Sequence, residues 1–278
     1  MKIVIIPNET RDKGYAVTAA VIEVLTEHGA TVMLDASVPI VRKGVLSYTS
    51  FPADADFIVV LGGDGSILHA SHYAIHYGIP LIGINLGHLG YMSEIAPSQI
   101  SELSRLFTGD YSVEEKMLLS VSMGGIATSE RLVVNEVVFS HESPVKPARI
   151  LLEDSCGGSL KYQADGLILA TPVGSTAYSL SAGGPIVSHD HPSIVVTPVC
   201  PHSFFGRSLV FSDRECLKIA CGAEASLNVT VDGRSWGVLK AGARAFVRRA
   251  DKTLKMITFR KENQMRVLFE KMRSLDEI

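Results

Sequence analysis

Near Tyr111 the residue pattern of this chain changes character, and that change limits its fold more than any other feature. Before it, apolar runs of strand length alternate with stretches of helical spacing. Residues 2–7 are a short apolar run, and residues 15–28 place Val17, Ala20, Val21, Val24 and Leu25 on one helical face before the stop at Gly29. Residues 31–34 and 56–61 read as strands, the second rich in β-branched residues. A helix is expected from Ser66 to about Tyr77, a strand over 80–84, and a further helix over 97–108 that opens at Ala96-Pro97 and closes at Gly109-Asp110. Strands that alternate with helices predict a parallel sheet covered by helices on both faces.

After Tyr111, strand-length runs follow one another with only Gly, Ser, Asp and Pro turns between them. They fall at 118–123, 132–139, 150–153, 167–171, 194–198, 216–220, 227–231, 245–249 and 254–259. This half is expected to be β-rich and sandwich-like. Helical spacing returns only at 263–274, through Met265, Leu268, Phe269 and Met272. The chain is therefore expected to be an α/β N-terminal domain with a parallel sheet plus a β-rich, sandwich-like C-terminal domain. A ligand cleft between two such domains is the natural expectation.

Composition excludes several classes of partner. The 278 residues are 46% hydrophobic and 20% charged, with a formal net charge of −3 and no polybasic run. No nucleic acid or anionic membrane is implied as a partner. Cys156, Cys200, Cys216 and Cys221 form no CxxC pair, which argues against a structural zinc site. No apolar run approaches the roughly 20 residues of a membrane span, and the opening run is too short for a signal peptide, so a cytoplasmic location is expected.

Four segments carry polar chemistry. The first is Gly62-Gly63-Asp64-Gly65-Ser66, which lies between a strand and a helix. Glycines there let the backbone turn tightly and approach a ligand, and the N–H groups of a helix start face phosphate oxygens. The loop has neither the lysine of a Walker loop nor the third glycine of a dinucleotide fingerprint, since residue 68 is Leu68. Asp64 is the odd member, because a carboxylate repels phosphate. It fits as acceptor of a proton from an attacking hydroxyl, as a ligand of Mg²⁺, or as a cap of the following helix. The second segment is 165–185, with Gly174-Ser175-Thr176-Ala177-Tyr178-Ser179-Leu180-Ser181 at its centre. Its small residues and hydroxyls suit a ribose, amide or base edge, and it lacks the second glycine of a nucleophile elbow. The third is Asn135-Glu136, two adjacent polar residues inside an apolar run, costly to bury without partners. The fourth is Asn85-Leu86-Gly87-His88-Leu89-Gly90-Tyr91-Met92, a second glycine-bearing loop at a strand end.

In their order along the chain, 62–66, 85–92, 135–136 and 165–185, the four segments resemble the NAD kinase family, as does a fifth at 196–210, VTPVCPHSFFGRSLV. The likeness spans roughly residues 57–235. It implies transfer of the γ-phosphoryl group of ATP to the 2′-hydroxyl of the adenosine ribose of NAD, with Mg²⁺ as the divalent cation. It also implies a homodimer or homotetramer and a terminal helix that packs back on the first domain, so that the domains are 1–112 with 263–278, and 113–262. Carried over by position, Asp64 is the proton acceptor, and Gly62, Gly63, Gly65 and Ser66 form the phosphate loop. Asn135 and Glu136 bind the ribose and adenine region. Thr176, Ala177, Tyr178, Ser179, Leu180 and Ser181 line that pocket, Arg149 contacts the dinucleotide, and Asp165 serves its nicotinamide end, often across a subunit interface.

The chain departs from the family pattern at Ser66, His88, Tyr91, Val173 and Arg234, the last replacing a frequent glutamine. The glycine turn is also shared with phosphofructokinases and, in a close form, with lipid kinases. The first strand here leads into Asn8-Glu9-Thr10-Arg11 rather than the glycine-rich loop of a phosphofructokinase, and a lipid kinase gives no reason for 165–185. A non-catalytic NADP(H) sensor is the alternative from another class.

Overall fold

The structure, a computed structural model, describes residues 1–87, 90–124, 130–141, 147–202, 205–222, 226–259 and 269. The chain divides into two compact units, Met1–Lys116 with Leu254–Ile278, and Met117–Thr253.

The first unit is built on five parallel strands: β1 (Lys2–Ile6), β2 (Thr31–Asp35), β3 (Val45–Tyr48), β4 (Phe57–Gly62) and β5 (Leu81–Asn85). Their order is β3-β2-β1-β4-β5. Residues 254–258 join beside β5, where Met256 pairs with Leu81 in parallel. Strands β4 and β5 are buried at every position, as a sheet covered on both faces requires. Helix α1 (Ala16–Glu27) packs Val21, Ile22 and Leu25 against Ile3, Ile5, Val32 and Val59. Helix α2 (Asp64–Tyr77) takes the other face. There Ile67 lies so close to Gly83 that any Cβ on residue 83 would collide with it. The strand order reverses between β1 and β4. These strands end side by side, with Ile6 opposite Val60, so the turns after them diverge from one crevice.

Two helices differ from expectation. Helix α2 starts at Asp64, two residues early. Residues 97–108 are a 3₁₀ segment, Pro97–Ser104, closed by one α turn, α3 (Arg105–Thr108). Side chains favour the tighter winding: Gln99 Oε1 accepts the Ala96 N–H at 3.0 Å, and Ser104 Oγ donates to the Ser101 carbonyl at 2.8 Å.

The second unit is a two-sheet sandwich. Its strands are β6 (Ser112–Met123, entering from the first unit), β7 (Glu130–Val133), β8 (Glu136–His141), β9 (Ala148–Glu153), β10 (Ser159–Ala164), β11 (Gly166–Ala170), β12 (Ser193–Val199), β13 (Leu209–Ser212), β14 (Cys216–Cys221), β15 (Leu227–Val231), β16 (Arg234–Leu239) and β17 (Arg244–Thr258). One antiparallel sheet runs β13-β12-β11-β8-β15-β16. The other joins β10, β9, β14 and β17, with β6 paired to β17 and β7. Phe139, Leu167, Leu169, Val196 and Val229 of the first sheet meet Leu119, Ile150, Leu152, Leu217 and Val247 of the second in one core.

The apolar run expected over 132–139 is broken at Val134-Asn135 into β7 and β8. The opposite holds for 245–259, expected as two runs. There β17 is one strand of 15 residues, because polar residues Asp251 and Lys252 stay exposed while Ala250 and Leu254 stay buried. The final helix expected at 263–274 lies, apart from Phe269, outside the described residues. Among the described residues no helix is long and apolar enough to cross a membrane.

Asp12 anchors the start of α1, whose N-cap, Tyr15, is left-handed and has no side-chain cap bond. The Asp12 carboxylate, 3% exposed, accepts the N–H of Val17 at 3.0 Å, the N–H of Thr18 at 2.8 Å and the Thr18 hydroxyl at 2.6 Å. Asp12→Ala is expected to cost about 1–2 kcal/mol, read as a lower urea midpoint by circular dichroism. An unchanged midpoint would contradict this role.

Candidate active site

Strand β4 delivers the chain to Gly62, which is buried, and a Cβ there would collide with Ser66 Oγ. Gly63 is the N-cap of α2 and no side chain caps the helix. Asp64 is the first helical residue, yet its carboxylate turns away from its own helix. Oδ2 accepts the Tyr91 N–H at 2.9 Å and Oδ1 accepts the Met92 N–H at 3.1 Å. This is not a helix cap, which removes the plainest of the three roles open to Asp64. The approach depends on Gly90, where a Cβ would collide with Asp64 Oδ1. The loop at 85–92 thus positions the carboxylate. His88 and Leu89 of that loop lie outside the described residues. Burial, aided by the charge of Asp64, pushes the Tyr91 phenol above its usual range.

A cavity of about 490 Å³ opens over this helix start, lined there by Gly63, Asp64, Gly65, Ser66 and His69. The turn after β1 lines it with Asn8, Glu9 and Arg11. A Cβ on Gly65 would meet nothing within 4 Å, so the protein itself leaves this face of the loop open. Ser66 Oγ accepts a hydrogen bond from Asn8 Nδ2 at 2.8 Å and ties loop and turn together. Of the four residues expected to form the phosphate loop, three border the cavity, and Gly62 shapes the loop from behind. Among the described residues no group of three or more His, Cys, Asp or Glu side chains could hold a metal ion.

In the second unit, the Val134-Asn135 break has a definite cause. Asp232 sits in the two-residue turn Asp232-Gly233 between β15 and β16, both residues with positive φ (49° and 75°). Its carboxylate accepts the N–H groups of Val134 at 2.9 Å, Asn135 at 2.7 Å and Glu136 at 3.2 Å. The N–H groups of Val134 and Asn135 are thereby withdrawn from the strand ladder, and the run breaks there. Adjacent strand residues would point to opposite faces, and the break frees Asn135 from that rule. Glu136 is 7% exposed. Burial, then the nearby charge of Asp232, pushes its carboxyl from 4.5 up to about 7, against the opposing pull of the Tyr178 N–H. Its Oε2 is buried without a hydrogen-bond partner among the described residues, which marks a place for a ligand donor.

The segment at 171–181 packs directly on this pair. Thr171 Oγ1 donates to the Val134 carbonyl at 2.6 Å, and the Thr171 N–H reaches the Asn135 carbonyl at 2.9 Å. A Cβ on Gly174 would strike the Asn135 backbone. The structure therefore gathers Asn135, Glu136, Thr176, Ala177 and Tyr178 in one place. Tyr178 opens a one-turn helix, α4 (Tyr178–Ser181). Ser179 turns inward: it is fully buried and its Oγ shares a 2.8 Å hydrogen bond with Thr197 Oγ1, so its hydroxyl supports the turn from inside. Tyr178 and Ser181 are exposed, and Leu180 is half-buried.

Asp165 and Arg149 stand apart from this group. In the pairing of β11 with β8, Ala170 is opposite Glu136 and Gly166 is opposite Ser140. Asp165, one residue earlier, is thus about 17 Å along the strand from Glu136 at ~3.4 Å per residue. It lies 3.9 Å from His141 Nε2. Arg149 lines a separate cavity of about 700 Å³ with Lys161, Gln163 and His202.

Two residues here have roles that the motifs did not reveal. Asp232 carried a signal, since Asp-Gly between alternating runs marks a hairpin turn. Arg11 carried none: nothing local says that its side chain comes to rest beside Gly63.

Comparison with known proteins agrees with this geometry. The model of the ATP-NAD kinase N-terminal domain matches residues 3–111 and that of the ATP-NAD kinase C-terminal domain matches residues 134–259. An NAD kinase of Caldanaerobacter subterraneus subsp. tengcongensis is 32% identical over 279 residues, covering 98% of each chain. One from Heliobacterium modesticaldum is 35% identical over 247 residues, 84% of this chain and 87% of the relative. Among solved structures, yeast NADH kinase complexed with NADH shares the fold with a TM-score of 0.83 at 23% identity, over 97% of this chain and 86% of that one. An NAD kinase from Archaeoglobus fulgidus in complex with ATP gives 0.76 at 23% identity, over 99% of both chains.

The raised carboxyl of Glu136 yields a stability prediction. Between pH 4.5 and about 7 the folded chain keeps a proton that the unfolded chain has lost, so Glu136 costs stability progressively as pH rises through that window. Glu136→Gln removes this cost. Its advantage over the native protein should grow by about 2–3 kcal/mol between pH 5 and pH 8 in denaturant unfolding. A pH-independent difference would show that Glu136 titrates normally.

Proposed function

This chain belongs to the ATP-NAD kinase family and is a phosphotransferase with NAD kinase activity, and we propose how its residues carry the reaction. ATP is the donor, NAD the acceptor, and the product is the 2′-phosphate, NADP. Membership in this family sets aside the sugar-kinase and lipid-kinase alternatives. The observation that carries the mechanism is the carboxylate of Asp64, held by two backbone N–H groups at the open start of α2.

The N–H groups of Tyr91 and Met92 orient the carboxylate at the mouth of the cavity, where it meets a substrate hydroxyl. Asp64 takes the proton of the ribose 2′-hydroxyl as that oxygen attacks the γ-phosphorus. The bond from the γ-phosphorus to the β,γ-bridging oxygen breaks and ADP departs. Gly65, with open space where a Cβ would be, lets phosphate oxygens approach the first N–H groups of the helix. In the second unit, Glu136 Oε2 and Asn135 receive the adenosine part of NAD beside Thr176, Ala177 and Tyr178.

The donor set suits Mg²⁺ carried by the nucleotide. Glu9 and Asp64 are the carboxylates lining the cavity, and Mg²⁺ commonly takes one or two carboxylates, substrate phosphates and waters. Bound there, it would neutralise charge on the phosphates. We further infer a homodimer or homotetramer in the cytoplasm. The separation of Asp165 from Glu136 along β11 supports an arrangement in which Asp165 serves the dinucleotide of a neighbouring copy.

Asp64→Asn tests this reading. The amide keeps the shape of the side chain but takes no proton. NADP formation should fall by roughly 10²–10⁴-fold while NAD affinity by calorimetry changes little. Near-native turnover in a folded Asp64→Asn protein would remove Asp64 from the proton transfer.

A further inference from the structure

Phosphate loops usually pair their glycines with a cation, and the loop at 62–66 contains none. We propose that Arg11 supplies it, binding the phosphates of the donor nucleotide from the turn after β1. The inference rests on the phosphotransfer reading above and adds a residue to it.

Arg11 reaches the loop from the other side of the crevice. Its guanidinium lies between two glycine faces. A Cβ built on Gly63 would stand 3.3 Å from Nη1, and one on Gly87 would collide with it. A side chain at residue 87 would displace the guanidinium, which lies beside the cavity that Arg11 and Gly63 both line. The turn that carries Arg11 is well fixed. Its N–H donates to the Asn8 carbonyl at 3.1 Å and to Asn8 Oδ1 at 3.2 Å, and the Asp12 N–H donates to the same carbonyl at 2.8 Å. Thr10 Oγ1 donates to Asn8 Oδ1 at 2.7 Å, and Asn8 Nδ2 donates to Ser66 Oγ at 2.8 Å. The base of the side chain is thus tied to the glycine loop itself.

Electrostatics points the same way. Among the described residues no carboxylate forms an ion pair with Arg11. The guanidinium instead lies near the N-terminal end of α2, which carries the positive end of the helix dipole and has no side-chain cap. The exposed guanidinium and the uncapped helix start thus both present positive charge to one cavity, where a phosphate would meet both. Glu9 and Asp64 also line the cavity, and a divalent cation carried by the nucleotide would offset their charge. A polyphosphate fits the remaining demand, because a guanidinium fork matches two phosphate oxygens at once.

The test compares native protein, Arg11→Ala and Arg11→Lys. Steady-state kinetics with Mg-ATP and NAD give KM for each substrate, and calorimetry with inorganic tripolyphosphate reads phosphate binding without turnover. Arg11→Ala should lower kcat/KM for ATP and tripolyphosphate affinity by about 10–100-fold, with NAD affinity within about twofold of native. Arg11→Lys keeps the charge without the fork and should fall between. Arg11→Ala and Arg11→Lys proteins that bind tripolyphosphate and use ATP as the native protein does would overturn the assignment. A native protein that binds tripolyphosphate through Arg11 yet makes no NADP would instead overturn the kinase reading, so the two failures are distinguishable.

Discussion

The chemistry of the first unit depends on one contact: the carboxylate of Asp64 against the N–H groups of Tyr91 and Met92. It joins the end of β4 to the loop after β5, and it exists because residue 90 has no side chain. The sheet makes it possible. Strands β4 and β5 are parallel neighbours, with Gly62 opposite Asn85, so their following loops leave from the same edge. The turn after β1 completes the edge, since β1 pairs with β4 where the strand order reverses. A crevice at such a reversal is where open α/β sheets take their ligands.

A second carboxylate does comparable work in the other unit with the chemistry inverted. Asp64 is open to a cavity, whereas Asp232 is buried and engages three backbone donors. By holding residues 134–136 it ends β7, starts β8 and sets Glu136 beside Tyr178. It also brings a negative charge near Glu136, which helps push that carboxyl up to about 7. Burial first, and then the charge of the carboxylate that positions Glu136, make its ionisation costly, a state that a bound hydroxyl donor would relieve.

The alternation of strands and helices before Tyr111, and its loss after, sufficed to expect two architectures, because hydrophobic period is a local property that reflects burial on one or two faces. Glycine loops and adjacent polar residues were legible for the same reason. Most of what the sequence hid is long-range. The break at Val134-Asn135 is caused by a residue almost a hundred positions later, and the continuity of β17 through Asp251 and Lys252 by alternation that two polar residues masked. Arg11 belongs to the site because strand order brings β1 next to β4, and no local pattern encodes strand order. Ser179 looked like a ligand-facing hydroxyl but finds its partner in Thr197, on the neighbouring strand β12.

This chain moves a phosphoryl group from ATP to one hydroxyl of NAD. The most direct measurement incubates the purified protein with Mg-ATP and NAD, follows ADP, and detects the product with an NADP-specific dehydrogenase. One NADP should form for each ADP released, with no ADP release above background when NAD is omitted. ADP release without NADP would contradict it.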